Sequence, residues 1–337
     1  MKATSFDIAY RAGVSQSTVS RALRNSPLVN EETRLKVQAI AKELNYKVDK
    51  NARNLRSQQS NTIALLLFED PTSDDSQINP FFMSMLGSIT RACALEGYDL
   101  LVSFQEMAND WHAEYDDTNK ADGIILLGYG DYLAYKEKLV HLNEQGTHFI
   151  RWGAEVKDMQ VSTIGCDNYT GGYQLTQHLL EQGRKQCAFV GTSSHHAPEF
   201  RDRYRGYCQS LEQAGIEVDA NLQIDALYTE EAGYIATKDL LTRGVKFDAL
   251  FGACDLISIG AMRALQEHGL AIPKDVAVVG FDDIPMANFT NPALTTAKQD
   301  TLLAGQLLVA NLIKIINGDA PSTFLIPAKI IERQSSM

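Results

Sequence analysis

The sequence predicts a small all-α helix-turn-helix head followed by a larger α/β body of two lobes, each built on a parallel sheet. Three observations carry this. Residues 1–46 hold three amphipathic helical segments, separated by a lone glycine and then by a polar loop. Residues 61–337 alternate short, continuous apolar runs with amphipathic helical stretches, the pattern of strands covered by helices on both faces. Charge divides the same way: residues 1–60 hold 11 Lys/Arg against 5 Asp/Glu, a net of +6, and the remainder carries −17 within a total of −11.

At 337 residues the chain is long enough for two or three domains. It has no run of about 18 apolar residues for a membrane span. The N-terminal "MKATSFDIAYRAG" lacks the apolar core of a secretory signal. Cys93, Cys166, Cys187, Cys208 and Cys254 are odd in number and free of C-x-x-C spacing. They read as reduced thiols of a cytoplasmic protein, with no metal site. A basic head on an acidic body suits a polyanion-binding module joined to one that avoids polyanions. A solvated surface with chance asymmetry fits the charge equally well, so residue detail has to decide.

In the head, Ile8, Ala9 and Ala12 share a helical face, and Thr4 or Ser5 caps that helix ahead of Asp7. Gly13 supplies the left-handed backbone of a tight turn. Ser15 caps a second helix in which Val19, Ala22 and Leu23 face inward, while Ser17, Ser20, Arg21 and Arg24 face away and Gln16 lies on the exposed first turn. After "RNSPLVN", Asn30 caps a third helix with Leu35, Val37, Ile40, Ala41 and Leu44 apolar. Two short helices joined at a glycine and braced by a third make a helix-turn-helix, whose second helix enters the major groove. An ordinary three-helix bundle with a polar face has the same apolar pattern.

The run "AGVSQSTVSR", Ala12 to Arg21, with its flanks through "SPLVNEETRLKVQAIAKELNY", resembles the DNA-binding head of the LacI/GalR family of bacterial repressors. The resemblance implies that Gln16, Ser17 and Arg21 read base edges, with Thr4, Ser15, Thr18 and Ser20 on phosphates. Arg24 lies on the same face. "YKVDKNARNLRS", 46–57, resembles the family's hinge, with Ala52 and Arg53 lining the minor groove and Leu55 wedged into it. Val48 stands where the family usually has proline, which leaves the hinge less pre-organised. A flexible linker is the other reading, and both hold if the segment folds only on DNA. The domain boundaries expected are 1–46 for the DNA-binding head, 47–60 for hinge and linker, and 61–337 for the body.

In the body, "TIALLLF", "YDLLVSF", "DGIILLG", "HFIRW", "CAFVG", "FDALFGA", "VAVVGF" and "STFLIP" read as strands. Amphipathic stretches at 81–96, 131–145, 170–182, 201–214, 230–243, 256–268 and 301–316 read as the helices between them. Such sheets bind ligand at the carboxyl ends of their strands. No Walker A, G-x-G-x-x-G, H-E-x-x-H or G-x-S-x-G motif is present, so there is no positive sign of an enzyme and no catalytic or cofactor residue is named.

Blocks such as "NPFFMSMLGSITRACALEGYDLLV", "RYRGYCQSL", "VAVVGFDD" and "NPALTTAKQD" extend the resemblance through the body. It implies a periplasmic-binding-protein-like fold, with two lobes, three chain crossovers and a small effector between them. Arg203 and Asp282 match the family's effector-gripping arginine and carboxylate. Asp255 and Gln299 are expected at the cleft, with Phe81, Phe82 and Trp152 as aromatic walls for a sugar. His195 and His196 sit in a polar loop and read as solvated. Cys254 replaces a frequent asparagine, which removes one hydrogen-bonding arm. The long segment "EDPTSDDSQINPFF" tilts the reading toward a gluco-disaccharide or glucoside, with a purine or other metabolite left open. The tail "AKIIERQSSM" is too short for a tetramerising heptad helix, so a homodimer on a pseudo-palindromic DNA operator is expected. A solute-binding protein and a sugar-processing enzyme are the rival classes; the basic head opposes the first, and the absence of a nucleophile–base set opposes the second.

Overall fold

The computed structural model describes residues 3–46, 59–68, 78–105, 109–128, 131–155, 161–320 and 322–337. The hinge residues Val48, Ala52, Arg53 and Leu55, and most of the long segment before "NPFF", lie outside them. The chain divides into two compact units, Met1–Ser60 and Asn61–Met337.

Among the described residues, the first unit has three helices: α1 (Ser5–Ala12), α2 (Gln16–Leu23) and α3 (Glu31–Glu43). Thr4 caps α1 in a reciprocal box with Asp7, whose carboxyl is held below its usual range by the Thr4 amide and hydroxyl. Gly13 closes the helix at φ 70°, in the left-handed region. Ser15 and Asn30 cap α2 and α3, accepting from the amides of Thr18 and Thr33. Ile8, Ala9, Ala12, Val19, Ala22, Val29, Val37 and Ala41 form the core. Leu35 departs from the expected pattern and is exposed. It stands two residues, about 200°, from Val37 on the helix, so it faces away from the buried stripe.

The second unit contains two six-stranded sheets. The first runs β11 (Thr323–Ile326), β5 (Thr163–Cys166), β4 (Phe149–Trp152), β3 (Gly123–Leu127), β1 (Thr62–Phe68) and β2 (Asp99–Gln105), all parallel. The second runs β12 (Lys329–Ile331), β10 (Thr295–Lys298), β9 (Ala277–Asp282), β8 (Ala249–Gly252), β6 (Cys187–Val190) and β7 (Gln223–Ile224), parallel except for β12. β1 shows why the strands read as continuous apolar runs. Ile63, Leu65 and Leu67 enter one core while Ala64 and Leu66 enter another on the opposite face.

Among the described residues, seven helices cover the sheets: α4 (Pro80–Leu95), α5 (Tyr132–Glu144), α6 (Asn168–Glu181), α7 (Pro198–Gln213), α8 (Glu230–Thr242), α9 (Asp255–Glu267) and α10 (Thr301–Ile316). α4 packs on α10, α6 on α7, and α8 on α9. The chain passes between the sheets three times: at Asp167, at Gln299–Asp300, and at 327–328. One apolar core is continuous through both lobes, from Ile63 and Phe81 to Phe281 and Leu294.

β5, β7, β10 and β12 are short strands beyond the expected eight, and the tail, expected only to be too short for a tetramerising helix, contributes β12. Beyond it Ser335 and Ser336 are buried, held by Thr295, Val278 and His178. A π-helical turn at His112–Asp117 follows the fully buried Trp111. No described helix is long and apolar enough to cross a membrane. All five cysteines are free thiols, four of them buried, and burial pushes the Cys93 thiol up to about 12.

Candidate functional site

On the head, α2 presents Ser17, Ser20, Arg21 and Arg24 at spacings of three and four, one face of a helix whose opposite face buries Val19 and Ala22. Arg21 is exposed, while Arg24 folds back to donate to Ser20 through Nε and Nη2, both at 3.1 Å. Ser15 Oγ is 2.8 Å from both Ser17 Oγ and Thr18 Oγ1. Thr4 is exposed at the start of α1, within its capping box. Gln16 differs from expectation. It is half-buried, because its Nε2 donates to Ser5 Oγ at 2.7 Å and ties α2 to α1. Ala52, Arg53 and Leu55 fall outside the described residues.

In the body, Arg203 lies in the second turn of α7 and is 1% exposed. A buried guanidinium needs partners for its charge. Nε donates to Asn168 Oδ1 at 2.8 Å, and Nη1 donates to the Ala253 carbonyl at 2.5 Å and lies 3.5 Å from Asp282 Oδ1. Its plane lies on Phe281, 3.8 Å from the ring centre. Asp282 ends β9 at φ 116° and Asp283 follows at φ 56°. Each such non-glycine conformation costs about 1–3 kcal/mol and persists where its surroundings over-determine it. Here Gln299 Nε2 donates to Asp282 Oδ1 at 2.6 Å, Ile284 N donates to Asp255 Oδ2 at 2.8 Å, and Arg333 Nη2 donates to Asp283 Oδ1 at 2.7 Å.

Phe81, Asp282 and Gln299 therefore meet at one place. They line a cavity of about 330 Å³ together with Ser84, Asn288 and Lys298, drawing on both lobes. The remaining expected residues are arranged around it. Arg203 backs Asp282. Trp152 packs on Phe81 with ring centres 6.0 Å apart, and Phe82 meets Phe81 edge-on at 5.3 Å, buried in the core. Asp255 corrects the expectation of a cleft ligand, because it does not line the cavity. It is fully buried, and both carboxyl oxygens are committed, one to Ile284 N and the other to the Thr296 hydroxyl at 2.5 Å. Burial, with the Asp282 charge beside it, pushes its carboxyl well above the usual range. Asp255 supports the turn that presents Asp282.

Sequence reasoning missed Asn168 and Phe281, the hydrogen-bond acceptor and the aromatic floor for Arg203. The signal for Asn168 was its place at the first position of α6, immediately after a crossover. His196, read as solvated, is half-exposed but spans the lobes: its Nδ1 is 2.8 Å from Asp131 and its carbonyl accepts from Tyr132 N at 3.0 Å. Among the described residues, one group has metal-ligand character, His112 with Asp116 and Asp117, and the Nδ1 of that ring is already 2.8 Å from Thr147 Oγ1.

Comparison with known proteins accounts for both units. Residues 6–49 match the family of bacterial regulatory proteins of the lacI type, and residues 176–336 match the periplasmic binding protein-like domain. The chain is 32% identical to the HTH-type transcriptional regulator RegA of Clostridium saccharobutylicum, over 98% of each chain. Among solved structures it resembles the transcriptional regulator CelR in complex with cellobiose, at 28% identity and TM-score 0.74 over 99% of each chain. It also resembles the lac repressor dimer bound to operator and the anti-inducer ONPF, at 25% identity and TM-score 0.84 over the whole of both chains. The fold is therefore that of a helix-turn-helix head on a two-lobed binding-protein body, and the chain belongs to the LacI family of bacterial transcriptional regulators.

Proposed function

We propose that the protein is a cytoplasmic, homodimeric repressor that holds a pseudo-palindromic operator and answers to a sugar bound between its two lobes. Residues 1–46 dock on DNA, 47–60 serve as hinge and linker, and 61–337 bind effector and dimerise. The single observation that carries the effector reading is the convergence of Phe81, Asp282 and Gln299 on one cavity, with Arg203 buried behind the carboxylate. An aromatic wall opposite a carboxylate and an amide is the arrangement that recognises a sugar ring, apolar on its faces and hydroxylated at its edge. The cellobiose complex of CelR and the operator complex of the lac repressor dimer support the choice of a gluco-disaccharide or glucoside and of operator DNA as partners.

On DNA, phosphate contacts from Thr4, Ser15, Thr18 and Ser20 supply sequence-independent affinity. Ser17 and Arg21, with Gln16 beside them, read base edges; an arginine pairing with both guanine acceptors contributes about 1–3 kcal/mol of discrimination. Ala52, Arg53 and Leu55 act in the minor groove. Effector and operator alter each other's affinity by one common factor.

The test is a thermal-shift screen of cellobiose and related glucosides, followed by operator binding by fluorescence anisotropy with and without the best ligand. Asp282→Ala is expected to abolish the sugar response and to leave operator affinity in the absence of sugar unchanged. A full sugar response in that variant moves the effector site elsewhere. Arg21→Ala is expected to lower the ratio of operator to random-DNA affinity about tenfold. An unchanged ratio removes its base-reading role.

A further inference from the structure

Two successive carboxylates, Asp282 and Asp283, line the cavity of about 330 Å³, and they are held from different parts of the chain. Asp282 accepts from Gln299 and lies beside Arg203. Asp283 is held by Arg333, whose Nη2 donates to its Oδ1 at 2.7 Å, with the two side chains only 15% and 13% exposed. Such a charge-assisted bond away from solvent is among the stronger polar contacts a protein makes. Lys298 also approaches Asp283, but its Nζ is 3.9 Å from Oδ2 and half-exposed, beyond hydrogen-bond reach and screened by water. Arg333 is therefore the cation that fixes Asp283.

Arg333 is itself locked in place. Its Nη1 donates to the Leu294 carbonyl at 2.7 Å and its backbone N donates to Thr295 Oγ1 at 2.8 Å. The guanidinium fork thus serves two acceptors in different directions, a shape that the point charge of a lysine does not supply. Two residues on, Ser335 Oγ accepts from Thr295 N at 2.8 Å and donates to the Val278 carbonyl at 2.6 Å, while Val278 N donates to the Ser335 carbonyl at 2.8 Å. Val278 lies on β9, the strand that ends at Asp282. Ser336 Oγ is 2.7 Å from Thr295 Oγ1 and 2.8 Å from His178 Nε2 on α6. Residues 333–336 therefore sit against β9, β10 and α6, with the Arg333 fork reaching forward to the cavity. The turn it reaches holds two consecutive positive φ angles, 116° and 56°, which neighbours have to maintain. Asp255 maintains it through Ile284 N, and Arg333 maintains it through the Asp283 side chain.

We propose that Arg333 is a positioning residue for effector recognition. It clamps Asp283, the turn keeps its positive φ angles, and the Asp282 carboxylate stays at the cavity wall. Residues 333–336 are then part of the sensor as well as of the sheet. The inference rests on the reading of this cavity as the effector site.

The test has two arms on the full-length protein: amide hydrogen exchange over residues 281–286 without sugar, read by mass spectrometry, and titration calorimetry with cellobiose. Arg333→Gln is expected to speed exchange of the turn about tenfold and to weaken cellobiose about tenfold. Asp283→Asn strips the charge while asparagine tolerates the positive φ, and it is expected to act in the same direction. The double variant Arg333→Gln/Asp283→Asn is expected to be no worse for cellobiose than the more damaging single variant, because both cut one link. Leu240→Val is the control for general loss of stability: Leu240 is buried in a separate apolar cluster with Ala188 and Leu222, and its variant is expected to lower the urea midpoint with cellobiose affinity unchanged. Unchanged exchange of the turn in Arg333→Gln overturns the proposal. Faster exchange with unchanged cellobiose affinity overturns it too, as do fully additive losses in the double variant or an equal loss of affinity in Leu240→Val. If the unmodified protein binds no cellobiose, the sugar reading fails on its own, and the exchange arm still decides whether Arg333 holds the turn.

Discussion

Gly206 offers the sharpest test of how the fold holds Arg203, the arginine proposed to serve the effector site. A Cβ at this position in α7 would sit 2.1 Å from the Tyr169 carbonyl and 2.6 Å from Tyr173 N. Facing it, a Cβ on Gly172 would sit 2.2 Å from the Arg203 carbonyl. Ordinary contact begins near 3.4 Å, so Gly206→Ala separates α6 from α7 by about 1 Å. Overpacking of this kind costs about 1–3 kcal/mol, and the better helix propensity of alanine returns at most about 1 kcal/mol. The net is a loss of up to about 3 kcal/mol, read as a lower urea midpoint by circular dichroism. Arg203 lies one turn before Gly206, and its bonds to Asn168 on α6 and to Ala253 cannot both follow a shift of that size. Effector affinity therefore falls while operator binding without effector is retained. Gly87→Ala is the control. Gly87 lies within α4 with open space around its Cβ position, so alanine there raises stability by up to about 1 kcal/mol. If Gly206→Ala matches Gly87→Ala in both stability and effector affinity, close helix contact is not what positions Arg203.

Two further predictions concern Asp255 and Asn30. The Asp255 carboxyl is pushed up from 3.8 in the folded protein, so above that pH the native state holds a proton that the unfolded chain has released. Stability then falls as pH rises from 3.8 toward the raised value, by up to about 1.4 kcal/mol per pH unit. Asp255→Asn keeps the bond from Ile284 N and donates to Thr296 in place of accepting, which removes that slope; a slope that persists in denaturant titrations across this range refutes the assignment. Asn30→Ala deletes the cap on α3 and costs about 1 kcal/mol, which amide exchange in that helix reports as roughly fivefold faster opening. Unchanged exchange there would mean the cap contributes nothing.

The sequence carried the head in full outline because each helix announces itself at its start. Thr4, Ser15 and Asn30 are side-chain caps, and Gly13 supplies positive φ at the turn between the first two helices. In the body, strands such as Thr62–Phe68 were legible because burial on both faces leaves no polar interruption. The short strands were not. Thr295–Lys298 is four residues with two buried threonines, whose hydroxyls bond to Asp255, Arg333 and Ser336. Its polarity is satisfied only by residues distant in sequence, so no local pattern marks it. The same limit separates the residues proposed for the effector site. Asp282 and Gln299 could be named from motifs, whereas the role of Asn168 and the burial of Asp255 depend on where α6 and the Asp282 turn come to rest.

The weaving of the chain end sets the order in which the molecule can be completed. β11 closes the first sheet beside β5, and β12 closes the second beside β10, so residues near position 325 are structural parts of a layer begun at residue 62. On a ribosome adding about 5–20 residues per second, the helical head emerges first and waits on the order of tens of seconds. Only then can either half of the sensor gain its last strand. A newly made head is thus free in the cell before the sensing apparatus that governs it exists, and translation that stops short of the final strands yields a reader of DNA with no finished means of restraint.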